Sequence, residues 1–211
     1  MTYDDIRNLA LAYSDRESDA ELPSKIDSFL RIVESRVDRV LKTQKMTIRT
    51  LLNTVQDQEY YGLPTDFAGL RDIEIRGQDD IGGASRERVT LEYLTPEQMN
   101  SATGFNAGTG NIYYTVIANQ LQISPPQDNM VLELVYYRKL PNLTANDNTN
   151  WLSDDNPDTY VFGLMVEISA FVKNPDATSL WNSRFKESLG EIDLDDSKAR
   201  WSGSMLTVTN S

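Results

Sequence analysis

The sequence predicts an α+β fold: a helical bundle built from the N- and C-terminal segments, with an inserted β-rich domain. Three observations carry this. An apolar stripe at helical spacing runs through residues 26–41, and short alternating segments separated by turn residues fill the middle of the chain. Two further helices then follow, opened by the same tripeptide, Asn156-Pro157-Asp158 and Asn174-Pro175-Asp176. Helices and strands kept apart along a chain argue for α+β over alternating α/β. The domain reading is 1–46 with 150–201 for the bundle, 47–149 for the β-rich domain and 202–211 for a flexible C-terminal tail.

Each element has a local reason. Thr2 caps a first helix reaching about Ser14, with Ile6, Leu9, Ala10 and Tyr13 on one face. Leu22-Pro23-Ser24 opens a long helix to about Gln44, in which Ile26, Phe29, Leu30, Val33, Val37, Val40 and Leu41 follow the i, i+3, i+4, i+7 rule. The period changes at Met46. Ile48, Leu52 and Val55 lie in a β-prone segment, Tyr60-Tyr61-Gly62-Leu63-Pro64 reads as a turn, and Leu70 to Arg76 alternates as a half-exposed strand. Val89 to Leu94 reads as one strand, followed by a capped single helical turn at Thr95-Pro96-Glu97-Gln98. Loops are expected at Gly77 to Glu87 and at Ser101 to Asn111. Ile112 to Ile117 and Leu121 to Ile123 flank a hairpin, and Met130 to Arg138 is the strongest strand.

In the two C-terminal helices, Asn is placed to cap free N–H groups, and Pro sits at the first helical position, where its missing N–H costs nothing. Asp then faces the positive end of the helix dipole. The first of the pair, with Val161, Phe162, Leu164, Met165, Val166, Ile168, Ala170, Phe171 and Val172, is apolar nearly all round and must be buried. The second puts Ala177, Leu180, Trp181, Phe185, Leu189 and Ile192 on its inner face.

Composition excludes much chemistry. The chain has 211 residues, 39% hydrophobic and 25% charged, without cysteine or histidine. Disulfides, thiolate metal sites and Ser-His-Asp or Cys-His mechanisms are therefore impossible, and no cofactor, metal ligand or catalytic residue is assigned. Gly104 to Gly110 fails the phosphate-loop templates, because no Lys-Ser/Thr follows and the next element is a strand. Asn146 to Asn150 lacks the glycine and terminal Glu of a calcium loop. Two carboxylates suffice for a glycosidase, so Glu92 with Glu97, or Asp154 with Asp158, keeps a cell-wall hydrolase as an alternative. Tyr60, Tyr61, Tyr93, Tyr113, Tyr114, Tyr136 and Tyr137 keep a carbohydrate-binding tail module as another, against ordinary packing. Neither a signal peptide nor an apolar run long enough to span a bilayer is present, so no membrane partner is expected.

The net charge of −12 argues against a sequence-reading nucleic-acid binder. Within it, residues 25–49 carry Lys25, Arg31, Arg36, Arg39, Lys42, Lys45 and Arg49 against only Asp27, Glu34 and Asp38, while Asp147 to Asp196 is acidic. Such segments pair within a fold or between neighbouring copies head to tail. Arg36, Arg39, Lys42, Asp193, Asp195 and Asp196 are the inter-subunit candidates.

The order of motifs resembles the head-to-tail adaptor, or connector, proteins of short-tailed phages. It is carried by Tyr61-Gly62-Leu63-Pro64-Thr65-Asp66-Phe67, Leu91-Glu92-Tyr93-Leu94-Thr95-Pro96-Glu97-Gln98, the hairpin from Tyr114 to Pro125-Pro126, Leu134-Val135-Tyr136-Tyr137-Arg138-Lys139-Leu140-Pro141, Asn150-Trp151-Leu152 and Pro157-Asp158. The resemblance implies a non-catalytic structural virion protein of the neck, made in the host cytoplasm. It implies a ring of twelve copies below the portal protein, with tail nozzle proteins beneath and DNA passing through during ejection. Some adaptors of this group have been linked to cell-wall hydrolysis, which no residue pattern here supports. A channel must not hold DNA, and acidic walls repel phosphates over about 8 Å at physiological salt. The acidic excess is therefore expected toward the channel. In the tail, Met205, Leu206 and Val208 are the portal-interaction candidates, by ordering on binding.

Overall fold

The computed structural model describes residues 1–16, 19, 21–77, 88–102 and 111–201. Among these the order is α1 (Tyr3–Tyr13), α2 (Ile26–Val40), β1 (Thr47–Asn53), β2 (Tyr60–Gly62), β3 (Phe67–Gly77), β4 (Arg88–Thr90), β5 (Glu92–Tyr93), α3 (Pro96–Ala102), β6 (Tyr113–Ile117), β7 (Gln120–Ser124), β8 (Met130–Arg138), α4 (Trp151–Asp155), α5 (Pro157–Phe171) and α6 (Pro175–Trp201). The fold is α+β, with six α-helices and two sheets among the described residues. It divides into two compact units: Met1–Lys45 with the chain from Leu140 onward, and Met46–Lys139.

In the helical unit α5 touches α1, α2, α4 and α6. Its near-uniform apolarity is answered by burial of Tyr160, Val161, Leu164, Met165, Val166 and Ile168; Ala170 and Phe171 at its end are exposed. Gly163 sets how closely the helices approach. A Cβ there would lie 2.6 Å from Val33 Cγ1, closer than real side chains come, and a tight 3.1 Å from Phe185 Cε2. Helix α1 begins with a reciprocal capping box. Thr2 Oγ1 accepts the Asp5 N–H, while Asp5 Oδ2 accepts the Thr2 hydroxyl at 2.7 Å and the Thr2 N–H at 3.0 Å, two bonds that hold the Asp5 carboxyl below its usual range. Its inner face is Tyr3, Ile6, Ala10 and Leu11, whereas Tyr13 is exposed and stacks on Trp181.

Three boundaries differ from the sequence expectation. Helix α2 stops at Val40, not Gln44, because Leu41 turns to φ −90°, ψ 137° and buries its side chain. Asn156 makes no side-chain cap. The capping residue is Asn150, whose Oδ1 accepts the Leu152 and Ser153 N–H groups and opens the unforeseen short α4. Asn174 does cap α6, accepting the Ala177 N–H at 3.1 Å. The segment 140–149, attached to the strands in the sequence reading, hydrogen-bonds to α2. The Leu140 N–H donates to Asp38 Oδ1 at 2.7 Å and the Leu143 N–H to Glu34 Oε1 at 2.6 Å.

The β unit holds two four-stranded sheets, ordered β1-β8-β3-β4 and β2-β7-β6-β5. All pairings are antiparallel except β5 with β6. Tyr61, Ile73, Ile75, Leu91, Ile112, Leu121, Ile123, Leu132 and Leu134 form the shared core. Tyr60-Tyr61-Gly62, expected as a turn, is strand β2 paired to β7. Val89 to Leu94, expected as one strand, breaks at buried Leu91 and serves both sheets. On the outward side of β8, Glu133 is buried among guanidinium groups: Arg49 at 2.9 Å, Arg76 at 3.5 Å and Arg88 at 3.7 Å. The expected loop at 101–111 falls largely outside the described residues, as does most of that at 77–87.

Candidate assembly surfaces

The functional side chains of the helical unit follow from which stripe of each helix is buried. Ile26, Leu30, Val33 and Val37 turn inward, so the helical period turns Ile32, Arg36, Arg39 and Val40 outward. Arg36 Nη2 lies 2.9 Å from Glu167 Oε1, which accounts for the one acid of α5 beyond its first turn. Arg39 donates to Ser35 Oγ, and Lys42 Nζ to the Asp38 carbonyl, each at 2.9 Å.

Lys173 joins this cationic side. It ends α5 in the left-handed conformation at φ 58°, with its N–H on the Ala170 carbonyl and the Asn174 N–H on the Ser169 carbonyl. This is a Schellman closure, with lysine where glycine is usual. Arg36, Lys173, Asn174, Thr178, Ser179 and Asn182 then line an open groove of about 670 Å³ beside apolar Val166 and Ala170.

On α6, Phe185, Leu189 and Ile192 face inward and leave Leu180, Glu187, Glu191, Asp193, Leu194 and Asp195 exposed. Asp196 differs. Its Oδ1 accepts the Gln44 N–H at 2.7 Å and its Oδ2 lies 2.7 Å from Arg200 Nη2, which also donates to the Lys42 carbonyl. Of the six inter-subunit candidates, Arg36 and Asp196 thus have charged partners in their own chain, Arg39 and Lys42 donate to neutral oxygens of α2, and Asp193 and Asp195 stand in solvent. Met205, Leu206 and Val208 lie outside the described residues. Sequence reasoning missed Lys173, although a lysine directly after an apolar helix and before Asn-Pro-Asp is a legible helix end.

It also missed Glu34, counted only as one acid in a basic stretch. Glu34 is 2% exposed, and Oε1 receives the Leu143 N–H at 2.6 Å and the Tyr160 hydroxyl at 3.4 Å. Tyr160 in turn accepts from Asn150 Nδ2 at 2.8 Å. Burial pushes the Glu34 carboxyl above its usual range against these bonds, and pushes the Tyr160 hydroxyl far up. The cluster pins the segment 140–150 to α2 and is an architectural clamp.

The catalytic alternatives gain no support from geometry. Glu92 and Glu97 are exposed, and Glu97 is held below the usual carboxylate range by its own N–H and the Thr95 hydroxyl, opposite to the shift a general acid needs. Asp154 and Asp158 are likewise exposed. The tyrosines do not form one platform. Tyr61 and Tyr136 are core residues, whereas Tyr60 and Tyr93 sit on β2 and β5, at opposite edges of one sheet.

The exposed apolar and charged faces of α2, α5 and α6 are suited to contact with a partner. The family model described as SU10 adaptor protein matches residues 1–208. The chain belongs to the SU10 adaptor protein family. It is a phage adaptor-type structural protein, and membership implies a component of the virion neck that associates with portal and tail proteins. No curated protein matches the chain. Among the adaptor's described residues, no helix is long and apolar enough to cross a membrane.

Proposed function

We propose that this adaptor works as a ring, of twelve copies, joining the portal to the tail nozzle of a short-tailed phage. Its bundle is formed by the two ends of the chain, Met1–Lys45 and Leu140 onward, with Met46–Lys139 as the inserted β-rich domain. DNA passes through the ring without specific binding, and the chain catalyses nothing. The observation that carries the reading is the family match over residues 1–208. The charge supports it: a wall with a net −12 per copy repels phosphate and does not slow ejection. On this reading the acidic excess faces the channel, and 202–211, through Met205, Leu206 and Val208, docks on the portal as an added strand or groove-bound segment.

Sedimentation of the full chain with its portal ring tests the reading. Co-sedimentation near one copy per portal subunit is expected. A chain that stays monomeric and ignores the portal would overturn it. Removing 202–211 should weaken docking while leaving the thermal transition in place; undiminished docking would remove the proposed role of the tail.

A further inference from the structure

Two faces of the helical unit complement each other in both apolarity and charge. On α2 and the end of α5, Ile32 (42% exposed), Val40 (60%) and Phe171 (39%) accompany Arg39 and Lys173. On the outward side of α6, Leu180 (53%) and Leu194 (55%) accompany Glu187, Glu191 and Asp195. Among the described residues, neither Arg39 nor Lys173 meets a carboxylate, and none of these three acids meets a cation. Large apolar side chains left in water beside unpaired charge mark contact surfaces. Opposite signs on two different faces of one chain suit a head-to-tail contact between copies.

The faces also match in height. Phe29 packs on Phe171, just before α6 begins, and Gln44 is bonded to Asp196 near its end. Helices α2 and α6 therefore run the same way, with Ile32 and Phe171 toward the Leu180 end and Val40 toward the Leu194 end. Rotation about a ring axis preserves height along that axis, so the two contacting faces of a cyclic assembly must be matched level by level.

We propose that the α2/α5 face of one copy packs against the outward face of α6 in the next. Leu180 and Leu194 meet Phe171, Ile32 and Val40, while Lys173 and Arg39 meet the acids of α6. This rests on the ring reading and supplies its interface. It leaves Arg36 and Asp196 in their own chain, and gives Arg39 and Asp195 the inter-subunit role; Asp193, two residues before Asp195, projects from the other side of α6.

A charge swap tests it. One variant carries Arg39→Glu with Lys173→Glu, the other Glu191→Lys with Asp195→Lys. Each alone should incorporate into portal-bound rings at least about tenfold less than the natural chain, because like charges then face each other at every contact. An equimolar mixture should recover incorporation to within about twofold, since alternating copies restore every pair in an even-numbered ring. Neutral versions (Arg39→Gln with Lys173→Gln, and Glu191→Gln with Asp195→Gln) replace any variant that loses its unfolding transition; with these, both singles and mixture should stay reduced. Single variants that assemble normally, or a charge-reversed mixture as deficient as its parts, would overturn the interface. Failure of the natural chain to form rings on the portal would count against the ring reading instead.

Discussion

The two units each bury a carboxylate, at 2% exposure for Glu34 and 4% for Glu133, and they hold it in different ways. Glu34 is met on Oε1 by a backbone N–H and a tyrosine hydroxyl, and on Oε2 by one guanidinium, Arg31, at 3.5 Å. Glu133 is met by three guanidinium groups from β1, β3 and β4. Neutral donors fix position but return little of the lost hydration energy, whereas guanidinium ions return more and remain sensitive to salt. The helical clamp is a geometric device and the strand cluster an electrostatic one.

The largest test of this contrast is Glu34→Ala, which orphans a buried N–H and a buried hydroxyl and should cost about 3 kcal/mol. Trp151, Trp181 and Trp201 all lie in the helical unit, so tryptophan fluorescence during denaturation reads it selectively. A loss under about 1 kcal/mol would mean the clamp is idle. Glu133→Ala comes next, at about 2 kcal/mol, discounted because Arg49 and Arg88 are well exposed. Hydrogen exchange on β8 measures it. Its cost should shrink more than that of Glu34→Ala as salt rises to about 1 M, three guanidinium groups against one being screened; equal salt response would erase the distinction. Gly163→Ala should cost about 1–2 kcal/mol through overpacking against Val33. Relieving the left-handed residues, Lys173→Gly in one unit and Ala118→Gly in the other, should each add about 1 kcal/mol by the same two readouts.

The last contrast is in pH. The folded-state pKa of Glu34 is raised, so between its ordinary and raised values the native chain binds more protons than the unfolded one. Stability contributed at Glu34 therefore falls as pH rises through that window and is regained on acidification. Relative to Glu34→Gln, the natural chain should gain stability as pH falls through it; a constant difference would refute the burial effect.

The helices were legible because their signals are local. The stripe from Ile26 to Val37 states both helix and buried face, and Thr2 with Asp5 states where α1 begins. The misreadings involve distant partners. Tyr60-Tyr61-Gly62 has turn residues at its end, yet β7 recruits it as a strand. Asn156 has the better local context for a cap, but Asn150 is the one drawn in, through bonds to Pro141 and Tyr160. The assembly surface was half legible for the same reason. Charge is visible in sequence, but that Asp196 is consumed by Gln44 and Arg200 while Asp195 remains in solvent depends on a contact across the fold.

One feature of the fold bears on how the chain is made. The strand unit is one continuous stretch, Met46–Lys139, whereas α1 and α2 have no covering helix until α5 is synthesised. At about 5–20 residues per second, translation of the intervening stretch takes roughly 5–20 s. For that interval the ribosome carries Leu30, Val33 and Val37 on an unpartnered amphipathic helix, while the strand unit emerges whole behind it. The closing of the bundle is thus a late step, timed by the arrival of the residues that Glu34 and Asp38 clasp.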